Sequence, residues 1–214
     1  PRLKDLDEAT GTAPQAMDVK SGPVNFSQPK FVIMASDAKA VPLKKTEEKD
    51  ALITAYLLQG DNNSLESFRE NHKKLDFVYP DWFLMDQPNC KVNERIDSDV
   101  TNLISKSGVR ILARLADGED SKIFDQQISR VMGDSELRSC VADSVILKSK
   151  ENGASGVLVD LQNLRQSDVE NYLWFLDEFR KGLHARGMSL VVAVPSGSQI
   201  YPLPEISSLA DAVM

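Results

Sequence analysis

Residues 153–163 place a short apolar run directly before an acid and an amide. The run 157–159 predicts a buried strand that ends at Asp160. Residues two apart on a strand point to the same side, so Asp160 and Gln162 are expected to project together from its carboxyl end. That end of a strand is where barrel enzymes place their catalytic pairs. The segment therefore predicts either a reaction site or a site that has lost one acid, because an amide has no acidic proton to donate.

Strand-like and helix-like patterns alternate from about residue 51 onward. Apolar runs predict strands at 51–58, 77–84, 109–115, 157–160, 189–195 and 211–214. Helical patterns lie at 64–74, 98–107, 122–132, 135–150 and 168–186. This order predicts a parallel sheet with helical crossovers. Pro80 argues against a regular central strand in the second run.

Two parallel architectures fit this alternation. A doubly wound open sheet would be complete at this length, whereas a barrel would need two more strands beyond Met214. No glycine-rich phosphate loop follows any of the predicted strands, so a nucleotide-binding version has no motif to support it. Residues 1–50 hold five prolines and few periodic apolar positions, and they predict an irregular arm or linker with a short strand at 31–34.

Charge and apolar content exclude several classes of partner. The net charge of −7 and the pI near 4.9 argue against nucleic acid and against an anionic membrane surface. No apolar run reaches the length of a transmembrane helix, and no signal-peptide pattern is present. The chain begins at Pro1 without Met, so we expect it to be processed or cut from a longer protein.

The cysteines and histidines indicate no metal or organic cofactor. Cys90 and Cys140 are too far apart in sequence for a zinc motif or a redox pair. Two buried thiols are the favoured interpretation, and one disulfide is the alternative in an oxidising compartment. His72 and His184 lie in polar helical surroundings and are predicted to be surface residues rather than ligands.

Residues 133–195 resemble glycoside hydrolase family 18, the chitinase-like barrels. In that family a helix carrying Arg precedes a strand reading Gly-Ile-Asp-Ile-Asp-Phe/Trp-Glu, and a later strand ends in Val-Pro. Here Arg138 precedes Gly-Val-Leu-Val-Asp-Leu-Gln at 156–162, and Val-Val-Ala-Val-Pro follows at 191–195. Residues 56–65 and 75–82 look like the branch in which the barrel is fused to a polysaccharide deacetylase and a membrane glycosyltransferase.

The resemblance implies an α/β fold, a (β/α)8 TIM-type barrel of which residues 51–214 supply about the first six strands. On this placement 211–214 is the sixth strand, and 1–50 is the N-terminal arm. A six-strand piece leaves barrel edges unpaired, so the chain is expected to be a fragment of a longer protein.

The family's chemistry assigns roles to three positions of the strand motif. The substrate's own N-acetyl group acts as the nucleophile, the motif's Glu protonates the leaving oxygen, and the inner Asp orients the acetamido group with support from the outer Asp. In this chain Gln162 stands at the acid position, Asp160 is the inner Asp and Leu158 replaces the outer Asp. Loss of a general acid typically slows a reaction about 10²–10⁴-fold. The resemblance therefore implies an impaired hydrolase retained as a binder, a pseudoenzyme.

Five further residues are predicted to contact a sugar or to lie at its rim: Tyr56, Asp61, Asn62, Trp82 and Asn163. Each has a simpler interpretation. Asp61 and Asn62 are residues that turns favour, and Gln162 with Asn163 could be an ordinary polar loop. Asp160 could equally cap the turn that follows it. Trp174 lies in the long helix and is expected to pack there.

Three functions remain open on the sequence. The first is an impaired chitinase-like domain that binds an N-acetylglucosamine-containing polysaccharide or oligosaccharide, outside the cytoplasm and attached to membrane-anchored domains. The second is a working glycosidase that uses another acid, for which Glu119, Asp120 and Asp168 are the candidates. The third is a structural or interaction domain without a sugar site.

Overall fold

The computed structural model describes residues 52–118 and 121–214, apart from the side chains of 121–125. The predicted arm at 1–50 and its short strand at 31–34 lie outside the described residues. Within the described part, none of the helices has the length and apolar character needed to cross a membrane.

Strands and helices alternate through the described part, as the sequence predicts. The strands are β1 (Thr54–Leu57), β2 (Phe77–Pro80), β3 (Phe83–Met85), β4 (Asn93–Glu94), β5 (Arg110–Asp117), β6 (Gly156–Asp160), β7 (Ser189–Val192) and β8 (Ala212–Val213). The α-helices are α1 (Asn62–Asn71), α2 (Ser98–Ser107), α3 (Ser121–Gly133), α4 (Ser135–Glu151), α5 (Val169–His184) and α6 (Leu203–Leu209). Short 3₁₀ turns cover His72–Lys74 and Gln166–Asp168.

The strand order distinguishes a barrel from a doubly wound sheet. The parallel strands lie side by side in the order β1-β2-β5-β6-β7-β8, which is also their order along the chain. A doubly wound sheet reverses its strand order at a switch point, and this sheet does not. The predicted α/β class with a partial (β/α) barrel is therefore confirmed, with six barrel positions filled. The β3–β4 pair is an antiparallel hairpin whose first strand also pairs with β5.

Pro80 ends the first part of the second predicted strand, as expected for a run that is not a regular central strand, but the strand keeps its place in the middle of the sheet. β2 pairs with β1 on one side and with β5 on the other. Pro80 is the last residue of β2, where its missing N–H costs the ladder little. The strand then breaks at 81–82 and resumes as β3. Asp81 follows β2 at the carboxyl edge of the sheet, where its backbone N–H still donates to the carbonyl oxygen of Leu57 at 3.1 Å.

The sheet separates two apolar clusters. The larger lies between the sheet and its helices and includes Trp82, Tyr172, Phe175 and Phe179. The smaller lies on the inner face of the curved sheet and consists of Phe77, Tyr79, Leu112, Leu158, Val191 and Ala193. Gly156 permits close strand contact, because a Cβ there would lie 2.4 Å from the backbone oxygen of Ser189.

His184 is not a surface residue, contrary to the sequence-based expectation. Its side chain is 6% exposed, and its Nε2 lies 3.0 Å from Asp211 Oδ2. The same carboxylate oxygen accepts a 2.7 Å hydrogen bond from the backbone N–H of Leu190. This contact joins the end of α5 to β7 and to the residue before β8.

Cys90 and Cys140 form a disulfide with a Cα–Cα distance of 5.4 Å. The expectation of two free buried thiols is therefore wrong, and the alternative is the one the structure has. Both residues are only half-buried. The bond joins the loop between β3 and β4 to helix α4, which sequence spacing alone could not indicate because the two cysteines are 50 residues apart.

Candidate active site

Asp160 and Gln162 meet at the carboxyl end of β6. Asp160 is the last residue of that strand and pairs in register with Ala116 of β5. The side-chain amide of Gln162 donates from Nε2 to Asp160 Oδ1 at 3.0 Å. The two differ in accessibility, since Asp160 is 2% exposed whereas Gln162 is exposed. A ligand that reaches this edge of the sheet therefore meets the Gln162 amide first, with the carboxylate beneath it.

A charged network that the sequence analysis did not anticipate surrounds Asp160. Arg114, on β5, donates from Nε to Asp160 Oδ2 at 2.8 Å and from Nη1 to Asp81 Oδ1 at 3.2 Å. Arg95, which follows β4, donates from Nη1 to the other oxygen of Asp81 at 3.0 Å. Two guanidinium groups thus bind two carboxylates, and these charge-assisted bonds satisfy the buried carboxylate of Asp160.

Asp117 fixes the loop that carries Gln162. It is the last residue of β5, and its Oδ2 accepts hydrogen bonds from the backbone N–H groups of Gln162 and Asn163 at 2.8 and 2.7 Å. The same oxygen accepts a third bond from Asn163 Nδ2 at 2.9 Å. Burial raises the pKa of Asp117 above its usual value, and these three donors partly oppose the rise.

Removing the Asp117 acceptor should destabilise the fold. We expect Asp117→Ala to lower the free energy of unfolding by about 2 kcal/mol, because two part-buried backbone N–H groups lose their partner. Asp117→Asn keeps an acceptor oxygen of the same shape, so it should lose less than half as much. Chemical denaturation of the three proteins measures both values. Equal losses for Ala and Asn would show that the charge, and not the acceptor, holds the loop.

Tyr56 lies beside this network at the end of β1. Its ring is 5.4 Å from the ring of Tyr79, and the guanidinium of Arg114 lies 5.4 Å from its centroid. The residue is 43% exposed. Burial of its polar end and the nearby Asp160 carboxylate both raise the pKa of Tyr56, so its phenol stays protonated well above neutral pH. Tyr56 is therefore a partly exposed aromatic residue whose ring lies next to the Arg114–Asp160 network.

Two tyrosines support the backbone between Asp160 and Gln162. Tyr201 donates its hydroxyl to the carbonyl oxygen of Leu161 at 2.7 Å. Burial, together with the negative charges of Asp117 and Asp160, raises the pKa of Tyr201 far above its usual value. The ring of Tyr172, in α5, packs edge-on against that of Tyr201 with centroids 6.2 Å apart. The peptide that separates the pair is thus held from the helical side of the sheet.

The other predicted sugar contacts do not all join the site. Asp61 accepts a 2.9 Å bond from the backbone N–H of Asn63 and is the N-cap of α1, and Asn62 is the first residue of that helix. Asn163 belongs to the Asp117 clamp. Trp82 is completely buried against the helices, so its assignment to a sugar groove is corrected. Trp174 is 47% exposed, although the sequence predicts that it packs.

Metal ligation finds no support in the described part of the chain. No group of three or more His, Cys, Asp or Glu side chains lies close enough to hold an ion there. The carboxylates at the site instead have arginine and amide N–H partners.

The solved structures that match this fold include chitinases and spore cortex-lytic enzymes. A chitinase from Chromobacterium violaceum ATCC 12472 matches with a TM-score of 0.67 and 18% identity over 76% of this chain and 54% of its own. The spore cortex-lytic enzyme SleL of Bacillus megaterium QM B1551 matches with a TM-score of 0.68 and 18% identity over 78% of this chain and 42% of its own. Catalytic domain 2 of the Group II chitinase of Ostrinia furnacalis, as a mutant in complex with (NAG)5, matches with a TM-score of 0.61 and 20% identity over 76% of this chain and 49% of its own.

Sequence comparison adds nothing to these structural matches. No protein-family model matches the chain, and no curated protein does. The chain spans about half the length of the solved structures that it matches. At sequence identities of 18–20%, the similarity to these solved structures is evidence for a shared fold alone. Over about three quarters of its length this chain has the barrel fold of chitinase-like glycoside hydrolases.

Proposed function

We propose that this chain is a chitinase-like domain that binds a polysaccharide or oligosaccharide containing N-acetylglucosamine and hydrolyses it poorly or not at all. The fold supports the carbohydrate class, because its structural neighbours are glycosidases and one was solved with (NAG)5. Within the (β/α) barrel fold, ligands bind at the carboxyl ends of the strands. Gln162, Asp160 and Tyr56 lie at that edge.

The observation that carries the proposal is the exposed Gln162 amide above the buried Asp160 carboxylate. An amide can donate and accept hydrogen bonds, so it can bind a sugar hydroxyl or an acetamido group. It cannot transfer a proton to a leaving glycosidic oxygen as a carboxylic acid does. Tyr56, which is 43% exposed, adds an aromatic side chain beside the pair, a type of residue suited to packing against a sugar ring. The site therefore has groups for binding but lacks the proton donor at the position where the resemblance places one.

The other described carboxylates near the pair do not supply that proton in its place. Asp81 is bound by two arginines, and Asp117 accepts three N–H bonds. Asp168 is buried and accepts from Ser129 Oγ at 2.7 Å, so it is occupied in joining α3 to the start of α5. Glu119 and Asp120 lie outside the described residues. Asp117 and Asp168 are therefore assigned to structure, which supports the proposal of an impaired hydrolase.

An extracytoplasmic location is part of the proposal, as is attachment to domains that process polysaccharides. The Cys90–Cys140 disulfide supports the location, because such bonds persist in oxidising compartments and are rare in the cytosol. The attachment follows from the resemblance of residues 56–65 and 75–82 to the fused branch of the family. It is tested by finding the neighbouring domains in the natural polypeptide.

Calorimetric titration with chito-oligosaccharides tests the binding function. Gln162→Ala should weaken binding about tenfold, because one or two hydrogen bonds of roughly 0.5–1.5 kcal/mol each are lost. Gln166→Ala is the matched control, since Gln166 is an exposed glutamine four residues further along the same segment, and its affinity should stay within about twofold of the wild type. Absence of binding by the wild-type protein would overturn the proposal and favour a structural or interaction domain.

A further inference from the structure

Arg114 stands across from the position where the family motif has its outer carboxylate. Arg114 on β5 and Leu158 on β6 are register partners. Leu158 belongs to the apolar inner cluster and offers Asp160 no hydrogen bond. The Arg114 guanidinium instead extends to the Asp160 carboxylate, two residues beyond its own register partner. Support for Asp160 therefore comes from the neighbouring strand.

The Arg114 side chain is itself held at several points. Besides its bond to Asp160, it donates to Asp81, which Arg95 holds from the opposite side. The guanidinium also lies 5.4 Å from the ring centroid of Tyr56. Its side chain is 19% exposed, against 44% for Arg95. A planar group fixed by two carboxylates and an aromatic ring can define the orientation of a third group.

That third group is the Gln162 amide. Arg114 Nε–H donates to one oxygen of Asp160, and the other oxygen accepts from Gln162 Nε2. A carboxylate that is paired with a guanidinium only accepts hydrogen bonds, so it selects the amide nitrogen and excludes the amide oxygen. The Oε1 atom of Gln162 must then point away from Asp160. At the rim of the site it becomes an acceptor directed toward an incoming donor.

We propose that Arg114 is the positioning residue of this site, which through Asp160 orients the Gln162 amide so that its carbonyl oxygen accepts a hydrogen bond from a ligand hydroxyl or N–H. The part of this proposal that concerns ligand recognition rests on the proposed glycan-binding function. The orientation of the Gln162 amide by Arg114 does not depend on that function. The ligand chemistry implied is a hydroxyl- or amide-rich chain, which chito-oligosaccharides provide. Arg114 does not touch the ligand itself, and it acts only through the carboxylate.

A double-mutant cycle with penta-N-acetylchitopentaose as the probe separates this role from general support of the fold. Arg114→Met and Asp160→Asn should each weaken binding about tenfold, the upper end of what loss of one well-oriented hydrogen bond typically costs. The double variant should bind no more weakly than Asp160→Asn alone, because Arg114 acts through that carboxylate. Arg114→Lys keeps the charge without the planar fork and should retain part of the affinity. Independent, multiplying losses would overturn the proposal, as would an Arg114→Met affinity within twofold of wild type.

NMR of the Gln162 side-chain NH₂ group gives a readout that needs no ligand. In the wild-type protein its two proton signals should be displaced from those of a free glutamine amide and slow to exchange with solvent, because Nε2 donates to Asp160. In Arg114→Met they should shift toward the values of a free glutamine amide, while those of Gln166 stay unchanged.

Unchanged Gln162 signals would overturn the positioning role, whatever the binding results. If the wild-type protein binds no glycan but the signals change as expected, the proposed function fails and the positioning role stands. If Arg114→Met does not fold, Arg114→Lys and Asp160→Asn give the same comparison.

Discussion

Replacing Gln162 with glutamate should raise the rate at which this protein hydrolyses chito-oligosaccharides by about 10² to 10⁴-fold. The substitution changes one NH₂ group to an oxygen and keeps the length of the side chain. It restores a proton donor at the position that the resemblance assigns to the general acid. General acid catalysis is typically worth about that factor. Product release from a chromogenic chito-oligosaccharide, compared between wild type and variant, measures the gain.

The surroundings favour the protonated form of the introduced glutamate. The Gln162 amide lies 3.0 Å from Asp160 Oδ1, so a carboxyl group in the same place would share a proton with the Asp160 carboxylate. A neighbouring like charge raises the pKa of a carboxyl group, which would keep the introduced acid protonated nearer to neutral pH. Because Leu158 gives no polar support to Asp160, we expect the variant to stay slower than a member of the family with all three carboxylates.

The double variant Gln162→Glu/Asp160→Asn provides the control. It has the new acid but lacks the carboxylate that would stabilise a charged acetamido intermediate, so most of the gain should disappear. Wild-type hydrolysis as fast as that of Gln162→Glu would contradict the assignment and indicate another acid. A variant that binds the oligosaccharide but gains no activity would show that restoring the acid alone is insufficient.

The fold was predictable because local pattern and topology agree. Each apolar run between 51 and 195 became a strand, and the helical periods became α1 to α5. Helix α6 was not predicted from the sequence, because it has only seven residues and no long apolar stripe. The effect of Pro80 on strand pairing depends on its position in the strand, which the sequence pattern does not give. At the last residue it leaves the central pairing intact.

The site was only half predictable. Asp160 and Gln162 follow from the period of two in a strand, whereas Arg114 and Asp117 lie three residues apart on β5, so the same period does not pair them. Arg114 is a charged residue in the middle of a largely apolar strand, and Asp117 ends that strand in the way that Asp160 ends β6. That Arg114 reaches Asp160 depends on the register between β5 and β6, which no single strand encodes.

Exposure of the two tryptophans could not be read from local sequence. Trp82 follows a strand, where a groove residue is expected, but the chain turns it into the core between sheet and helices. Trp174 lies outside the apolar stripe of α5, and it emerges half exposed. Which way a side chain faces after a strand ends depends on tertiary packing, and Trp82 packs into the larger apolar cluster.

Reduction of the Cys90–Cys140 disulfide should lower the free energy of unfolding by about 4 kcal/mol. The bond closes a loop across a sequence separation of 50 residues, and the chain-entropy model assigns a loop of that length roughly this stabilisation. For a protein of this size the loss corresponds to a fall in Tm of about 10 °C, at 2–4 °C per kcal/mol. Denaturant unfolding with and without a thiol reductant measures the difference.

The double variant Cys90→Ala/Cys140→Ala separates the bond from other effects of the reductant. Its stability should match that of the reduced wild type, and adding reductant should change it no further. A thiol assay on the untreated, denatured protein should find no free cysteine, since neither is free in the described part of the chain. Two free thiols, or a stability that reduction leaves unchanged, would contradict the bond and the argument for an oxidising compartment.

The closed loop gives the disulfide a second expected effect, on the candidate site. It encloses β4, α2, β5 and α3, and therefore Arg95 and Arg114, whose guanidiniums hold Asp81 and Asp160. Cys90 lies in the turn of the β3–β4 hairpin, and Arg95 follows that hairpin directly. Loss of the bond should therefore loosen the Arg95–Asp81 contact before the core of β5 and β6 opens. Hydrogen exchange of the β3–β4 amides should rise on reduction at denaturant concentrations where the β6 amides remain protected, and equal exchange at both places would show that the bond stabilises only the fold as a whole.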